Sequence, residues 1–483
     1  MKKIIKLFFV AFLLNICSHS VAQKNKTAER KIDSLFSSYN AKTPGVAIAI
    51  VKDGKVVFKK GYGMANLNYN IPVTTQTVFN IASVSKQFTA FAVYLLQNEG
   101  QLSFEDDIRK YIPELPVYET TIKIKHLLAH TSGLRDHGAL QSIAGGYIWA
   151  DKVTTQQALK LIYKNKRLNF APGSMYGYSN SNFTLLAEIV HRISGQTFSA
   201  YTTEKMFKPL GMNDTYFSDD NEAVVKNKAE SYELDNGKYY HKPVVEANPG
   251  PSDLLTTVED LCKWVLNFEN PKVGNKRLIE NFNSISELDN GNKIVIRVID
   301  GDSIFYAKGQ NRWKHKGASI MSYGGHTFAF RSFLGRFPDQ HLAIIQLSND
   351  EHNEKLGGRW DIADYYIKDQ LKETKEVAEV SRNNNAAPKP ESYKSNLNGF
   401  SGKYYNDELE TEYTFEVAND SLIMKHARLY DIILRQTGEN KFAGSGSYTF
   451  AFDINFNKNE QGEVTDLAIS NWGAKNIKFQ KIK

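Results

Sequence analysis

The sequence predicts a mixed α/β domain, with antiparallel hairpins on either side of a helical middle region, followed by an all-β antiparallel domain. Apolar runs at residues 45–51 and 56–58 flank Lys52-Asp53-Gly54-Lys55, which is a signal for a β-hairpin. A long stretch with helical periodicity follows. After a polar segment, residues 413–469 change to short alternating stretches separated by turn residues, a pattern typical of a half-barrel or small barrel.

Apolar spacing and capping residues predict the remaining elements of the first domain. In chain order they are a helix over Val84–Gln97, a helix over Phe183–Ser194 with Gly195 as its stop, a helix after the capping box Thr256-Thr257-Val258-Glu259, strands over Phe328–Phe337 and Leu342–Leu347, and a helix over Lys355–Leu371.

The first 22 residues have the pattern of a secretory signal peptide. A basic start precedes a short apolar run, and small residues stand at −3 and −1 before cleavage after Ala22. The run is shorter than the roughly 20 residues that span a bilayer, so we expect no transmembrane segment in the mature chain. Cys17 follows the bulky Ile16, which argues against a lipoprotein anchor. We expect an exported protein, periplasmic or secreted.

Composition divides the chain into four parts. Residues 1–22 are the signal, 23–372 the mixed domain, 373–395 a polar linker and 396–483 the β-rich accessory domain. Removal of the signal leaves Cys262 as the only cysteine, so the fold depends on a packed core rather than a disulfide. The formal net charge of +7 is partly carried by the signal, and we expect no nucleic-acid partner.

The tetrad Ser83-Val84-Ser85-Lys86 is the first candidate for chemistry. Positions i and i+3 share one face of a helix, so the hydroxyl and the amine meet one turn apart. A serine needs a base to act as a nucleophile at neutral pH, and a buried lysine whose charged form is disfavoured can supply one. Taken alone, a Ser-x-x-Lys tetrad is common and is usually an ordinary helix start; together with the motifs that follow, it predicts a nucleophile and base pair at the start of a helix.

Three further motifs follow in order. They are His126-Leu127-Leu128-Ala129-His130-Thr131-Ser132-Gly133-Leu134, the Tyr178-Ser179-Asn180 stretch behind Pro172-Gly173, and Tyr323-Gly324-Gly325-His326 with Arg331-Ser332. With these motifs the chain resembles the serine β-lactamase and penicillin-binding-protein superfamily, in its class C β-lactamase-like branch. That branch also holds D-alanyl carboxypeptidases, D-aminopeptidases and bacterial esterases. The resemblance covers roughly Ile32 to Leu371.

The resemblance implies roles for individual residues. Ser83 matches the acylating nucleophile, Lys86 its proton acceptor, and Tyr178 a proton shuttle whose phenolate the field of the lysine would favour. Asn180 matches the residue that holds the carbonyl side of the substrate. The oxyanion hole would combine the Ser83 N–H with the His326 N–H that follows Gly325.

The resemblance also implies the architecture and the chemistry. The fold is expected to be an α/β sandwich of the β-lactamase/transpeptidase type, whose antiparallel sheet joins the N-terminal hairpin to the Phe328–Leu347 hairpin. An acyl-serine intermediate would form on amide or ester bonds of small peptides, D-amino-acid derivatives, β-lactams or esters, without a cofactor. Small-molecule or peptide substrates are the expected partners, with cell-wall fragments among them.

The third motif departs from the family pattern. Most members present a lysine or histidine where this chain has Tyr323, and a lysine there would bind a substrate carboxylate. Strong β-lactamase activity is therefore not expected, unless Arg331 supplies the anion contact. An alternative reading is a catalytically weak penicillin-binding or cell-wall-binding protein, which is acylated without turnover.

Two further sets of residues have both a functional and a structural interpretation. His126 and His130 have the i, i+4 spacing of zinc ligands, but no glutamate follows His126 and no third ligand is evident, so a structural role is preferred and no metal is expected. Tyr404, Tyr405 and Trp472 could form a sugar-binding platform on the β domain, although packing in its core is the favoured use. That domain could also cap the active site.

Overall fold

A computed structural model describes residues 27–147, 150–299, 301–351, 358–372, 396–447 and 449–483. The predicted signal over residues 1–22, with Cys17, and the predicted linker over 373–395 lie outside these residues. None of the helices in the described ranges is long and apolar enough to cross a membrane.

The first part of the chain contains seventeen strands in the described ranges. They are β1 Val46–Lys52, β2 Lys55–Tyr62, β3 Met64–Asn66, β4 Ile71–Pro72, β5 Phe79–Asn80, β6 Val153–Thr154, β7 Tyr216–Phe217, β8 Tyr232–Asp235, β9 Lys238–His241, β10 Glu246–Ala247, β11 Leu254–Thr256, β12 Val295–Ile299, β13 Asp302–Tyr306, β14 Asn311–His315, β15 Ala318–Thr327, β16 Phe330–Phe337 and β17 Leu342–Ser348.

Helices connect these strands. They are α1 over residues 27–35, α2 Ser85–Asn98, α3 Ile124–Leu128, α4 His137–Ile143, α5 Thr155–Lys164, α6 Asn180–Ser194, α7 Phe198–Thr202, α8 Lys208–Leu210, α9 Val258–Asn267, α10 Lys276–Phe282 and α11 Gly358–Ile367, with a π turn over Thr203–Phe207 and 3-10 turns over Ala82–Val84, Ile108–Lys110, Pro338–Gln340, Lys368–Gln370 and Leu397–Phe400.

One eight-stranded antiparallel sheet forms the centre of this domain, in the order β12-β13-β14-β15-β16-β17-β1-β2. The predicted junction of the two hairpins is confirmed, because β1 pairs with β17 from Val46 opposite Ser348 to Lys52 opposite Leu342. The strands β12 to β15 were not predicted. Both faces of the sheet are covered, so β1 reads as a continuous apolar run rather than an alternating one.

The two faces of β1 belong to different cores. Ala47 and Ala49 pack into the large core shared with the helical region, which contains α2, α6 and α9. Ile48 and Ile50 pack on the opposite face, against α1 and α11. The predicted α/β sandwich is confirmed. Cys262 is 2% exposed in the large core, as predicted for a core residue.

The predicted helix boundaries are close to those observed, with three differences. The helix predicted over Lys355–Leu371 is observed over Gly358–Ile367 and is followed by the 3-10 turn Lys368–Gln370, while residues 355–357 lie outside the described residues. The helix predicted from Phe183 begins at Asn180, one turn earlier, which places Asn180 in its first turn. The capping box was assigned one residue too early, because Thr257 is the N-cap and its side chain accepts the Asp260 N–H.

The C-terminal domain is a closed antiparallel barrel, which confirms the all-β prediction. Its strands are β18 Gly402–Asn406, β19 Thr411–Ala418, β20 Ser421–His426, β21 Leu429–Gly438, β22 Lys441–Gly444, β23 Phe452–Lys458, β24 Val464–Ser470 and β25 Ile477–Ile482. Pairing of β18 with β25 closes the barrel. Closure removes the exposed sheet edges that would otherwise template aggregation.

Helix α4 of the sheet domain packs against the barrel. Its residues Ala139, Leu140 and Ile143 belong to the hydrophobic core of the barrel. Just before this helix, the Asp136 N–H donates to the Gly473 carbonyl at 2.9 Å. The loop between β24 and β25 is thereby held beside the sequence that precedes α4.

Candidate active site

Ser83 and Lys86 lie where the chain turns from β5 into α2. Ser83 is in the 3-10 turn Ala82–Val84 and Lys86 in the first turn of α2. The two side chains meet as predicted, with Lys86 Nζ 3.0 Å from Ser83 Oγ. Ala82, directly before the serine, has a φ of +49°. A non-glycine residue in this left-handed region is strained, and such strain is held where surrounding structure over-determines the backbone.

The amine of Lys86 is buried among acceptors. Nζ lies 2.8 Å from Asn180 Oδ1 and 2.7 Å from the Pro251 carbonyl oxygen, and the side chain is fully buried. Burial lowers the pKa of Lys86 to about 7, against the opposing effect of the Asp136, Glu246 and Asp253 carboxylates. As a neutral amine, Lys86 can donate to these two oxygens and accept the proton of the Ser83 hydroxyl.

Tyr178 completes a triangle with the serine and Asn180. Its hydroxyl lies 3.0 Å from Ser83 Oγ and 3.1 Å from Asn180 Oδ1. The predicted phenolate is wrong, because burial raises the pKa of Tyr178 far above its usual value despite the hydrogen bond with Ser83. Loss of solvation outweighs the nearby lysine. Tyr178 is therefore a phenol at neutral pH.

Asp136 positions the backbone of Asn180. The Asn180 N–H donates to Asp136 Oδ2 at 2.6 Å, and Asp136 Oδ1 accepts the Ala139 N–H as the N-cap of α4. Asn180 Oδ1 is shared by Lys86 and Tyr178, so its amide nitrogen is directed away from them. Asn180 also lines the cavity beside Ser83.

The third motif lies on β15, next to the turn that carries Ser83. A Cβ atom on Gly325 would stand 2.2 Å from the Ile81 carbonyl oxygen, so only glycine allows this strand to lie against the turn. His326 follows it and lines the cavity. Burial and the nearby Arg331 lower the pKa of His326 to about 4, so its ring is neutral.

Tyr323 and Arg331 do not face the cavity. Tyr323 is 9% exposed and packs in the large core, and burial raises its pKa well above the usual range. Arg331 donates to the carbonyls of Phe328 and Phe330 and lies 3.4 Å from Glu351. The possibility that Arg331 supplies an anion contact is therefore not supported, since its own turn and Glu351 engage it.

The histidine pair of the second motif is separated in the structure. His126 Nδ1 accepts the Lys123 N–H, and its Nε2 lies 3.1 Å from Asp289 Oδ2. His130 is buried, with its ring 4.6 Å from that of Tyr178 and its Nδ1 3.0 Å from Asn182 Nδ2. In the part of the chain that the structure describes, no three potential metal ligands come together.

Sequence reasoning missed several residues of the site. A cavity of about 270 Å³ opens beside Ser83, and its wall includes Asp136, Glu246, Phe450 and Trp472. Trp472 and Phe450 come from barrel loops, so the C-terminal domain forms part of the wall of the cavity beside Ser83. Tyr404 packs inside the barrel and Tyr405 lies outside the cavity, so the three aromatic residues considered for a sugar platform do not share a surface.

Comparison with known proteins gives a consistent result. A family model described as Beta-lactamase matches residues 32–366. Protein flp from Staphylococcus aureus (strain MRSA252) is 30% identical over 337 residues, 67% of this chain and 63% of that protein. The D-aminopeptidase of Gluconobacter oxydans (strain 621H) is 26% identical over 317 residues, 63% of this chain and 56% of that enzyme. The chain thus spans less than two thirds of the length of these curated relatives.

Solved structures share the fold. The octameric penicillin-binding protein homologue from Pyrococcus abyssi has a TM-score of 0.62 and 22% sequence identity, covering 94% of this chain and 99% of that chain. At such coverage the shared fold extends beyond residues 32–366. The same fold also occurs in hydrolases that include a D-amino acid amidase.

Proposed function

This chain belongs to the Beta-lactamase family, and we propose that it is a serine hydrolase that cleaves amide or ester bonds of small acyl substrates through an acyl-enzyme on Ser83. One observation carries the proposal. The buried amine of Lys86, with a pKa of about 7, lies 3.0 Å from the Ser83 hydroxyl. A base with such a pKa, within hydrogen-bond reach of the proton that it must accept, suits general-base catalysis at neutral pH.

Acylation uses this pair directly. Neutral Lys86 takes the proton of Ser83, and Oγ forms a bond to the carbonyl carbon of the substrate. The carbonyl oxygen becomes an oxyanion, which we assign to the backbone N–H groups of Ser83 and His326. Each such donor is worth about 3 kcal/mol of transition-state stabilisation. When the intermediate collapses, the bond to the leaving amine or alkoxide breaks.

Tyr178 supplies the proton that the leaving group needs. Its hydroxyl is a phenol and lies 3.0 Å from Ser83 Oγ, so it can donate to the departing atom. The Lys86 ammonium then returns the proton taken from Ser83 to the Tyr178 phenolate, since both groups contact Ser83 Oγ and Asn180 Oδ1 and lie beside each other. In deacylation a water gives its proton to the same network and attacks the acyl carbon, and the carboxylic acid leaves with Ser83 regenerated.

The volume and the lining of the cavity indicate which substrates fit. Its volume of about 270 Å³ suits a small acyl group. Tyr323, which stands where the family presents a carboxylate-binding lysine, lies in the core instead. We therefore propose small amides and esters, rather than β-lactams or other substrates that need a carboxylate contact. Residues 1–22 support export of the enzyme.

Intact-mass spectrometry tests the proposal. The mature protein is incubated separately with a fluorophosphonate and with a fluorescent penicillin, beside Ser83→Ala and the control Ser421→Ala in the barrel. We expect a fluorophosphonate adduct that maps to Ser83, is absent from Ser83→Ala and is unchanged in Ser421→Ala, with little penicillin adduct. An adduct that persists in Ser83→Ala, or no adduct at all, would overturn the assignment. A stable penicillin adduct without turnover would support a penicillin-binding protein instead.

A further inference from the structure

The wall of the cavity beside Ser83 is acidic. Three carboxylates line it, from Asp136, Asp151 and Glu246, and within the described residues no lysine or arginine does. A cavity lined by one sign of charge concentrates ligands of the opposite sign. Substrates with a positive charge are therefore favoured, and those with a free carboxylate are disfavoured.

Two of the three carboxylates already have partners. Asp136 accepts the N–H groups of Asn180 and Ala139. Asp151 lies 2.8 Å from the guanidinium of Arg428 in the barrel and also accepts the Tyr147 N–H. Asp136 contributes negative potential, the charge of Asp151 is offset by Arg428, and the oxygens of both are engaged within the protein.

Glu246 differs from the other two. It lies on the short strand β10, which pairs with β6, and no hydrogen bond or ion pair joins its carboxyl group to another described residue. Burial and the neighbouring carboxylates of Asp253 and Asp136 raise the pKa of Glu246 well above its usual range. A positively charged ligand would stabilise the ionised form of this carboxyl group, because a nearby opposite charge favours the charged state.

A second buried polar atom in the same wall is without a partner. His137 is 3% exposed, and its Nδ1 has no hydrogen-bond partner among the described residues. Its Nε2 lies 3.2 Å from Asn248 Nδ2, so with the amide assigned in this orientation Nδ1 carries the ring proton. Buried polar groups are normally paired, so this wall contains an unsatisfied ring nitrogen besides the carboxyl group of Glu246.

Aromatic rings form the other side of the cavity. Trp472 and Phe450 line it with Tyr178, and the indole ring meets Phe450 edge-on at 5.5 Å between centroids. The faces of such rings attract cations, most strongly where water is excluded. The barrel thus adds an apolar wall that tolerates a positively charged ligand.

We propose that this cavity selects acyl groups that carry a protonated amine, with Glu246 as the residue that binds the ammonium. The substrate class is aminoacyl amides and esters with a free α-amine. This inference rests on the proposed hydrolysis at Ser83 and adds the group by which the substrate is recognised.

Matched substrates test the selection. Alanine 4-nitroanilide of each stereochemistry is compared with its N-acetyl derivative and with propionyl 4-nitroanilide, which lacks only the amine. We expect kcat/KM for one free-amine substrate to exceed that of both neutral ones by at least about tenfold. In Glu246→Gln this ratio should fall toward one, mainly through KM, while the control Glu233→Gln, outside the cavity, should keep it. Equal or faster hydrolysis of the propionyl compound would overturn the inference and leave the hydrolase proposal standing.

A binding measurement separates recognition from chemistry. Calorimetry on Ser83→Ala compares alaninamide with propionamide at neutral pH, and we expect tighter binding of alaninamide, lost when Glu246→Gln is added. Equal binding of the two amides would overturn the inference. If alaninamide is preferred although Ser83 of the wild-type protein is not labelled by fluorophosphonate, the recognition site stands and the hydrolase proposal fails.

Discussion

The indole ring of Trp472, on a loop of the C-terminal barrel, lies 6.3 Å from the phenol ring of Tyr178 in the sheet domain, measured between ring centroids. The loop is held there by hydrogen bonds to its carbonyl groups, since the Asp136 N–H donates to the Gly473 carbonyl and the Arg135 guanidinium donates to the Lys475 carbonyl at 2.8 Å. The barrel is therefore part of the wall of the cavity beside Ser83, and not only an appended domain.

Removing the indole should lower the affinity for substrate more than it lowers the reactivity of Ser83. For Trp472→Ala we expect kcat/KM on a small amide to fall about tenfold, because an aromatic wall contact is lost. The rate of fluorophosphonate labelling of Ser83 should change much less. Tyr405→Ala, which alters a barrel aromatic of similar exposure outside the cavity, is the control. Equal effects of the two substitutions would show that Trp472 is not part of the substrate wall.

The titration of Lys86 should appear in the pH profile of Ser83 reactivity. The base is the neutral amine, so reactivity is full above the pKa of about 7 and is lost as the pH falls through it. Below the pKa we expect the labelling rate to fall about tenfold for each pH unit. Fluorophosphonate is the suitable probe, because it does not titrate in this range.

Lys86→Arg provides the comparison, since its guanidinium stays charged at all accessible pH values. This variant should label very slowly across the whole range. A labelling rate of the wild-type protein that is constant between pH 5.5 and 8 would exclude Lys86 as the base with the expected pKa.

Loss of the Tyr178 hydroxyl should slow reactions with an amine leaving group more than reactions with fluoride. An amine must be protonated before it leaves, whereas fluoride departs from a fluorophosphonate without a proton. We expect Tyr178→Phe to lower amide turnover by about 100-fold or more and to lower labelling by less than about tenfold. Tyr176→Phe, which changes a neighbouring phenol at the edge of His130, is the control. Parallel losses in both assays would argue for a structural role.

The parts of the site that could be predicted are those governed by local geometry. Ser83 and Lys86 meet because side chains at i and i+3 in a helical turn are neighbours. The barrel strands are recognisable in the sequence because one face of each is buried, so that apolar and polar residues alternate. The state of Tyr178 was predicted wrongly. The family resemblance implies a nearby lysine, but the desolvation that raises the tyrosine pKa depends on residues brought together only by folding.

Two other features lay beyond sequence reasoning for related reasons. Strand β12 exposes Val295, Val298 and Ile299 at the edge of the sheet, so it lacks the buried alternation that marks a strand. Glu246 and Trp472 reach the cavity from positions far apart in the chain, and neither stands in a motif. Their role depends on the docking of the barrel and on which carboxylates find partners elsewhere.

The close approach of β15 to the turn that carries Ser83 makes two adjacent glycines differ sharply. A Cβ on Gly325 would lie 2.2 Å from the Ile81 carbonyl oxygen and 2.3 Å from Ser332 Oγ, whereas one on Gly324 would meet only the Ser332 carbonyl oxygen at 3.7 Å. We expect Gly325→Ala to lower the free energy of unfolding by about 1–3 kcal/mol and to slow labelling of Ser83, since the turn that carries the serine must shift. Gly324→Ala should stay within about 0.5 kcal/mol of the wild type. Urea denaturation and labelling rates measure both effects, and equal behaviour of the two variants would mean that Gly325 does not hold the strand against the turn.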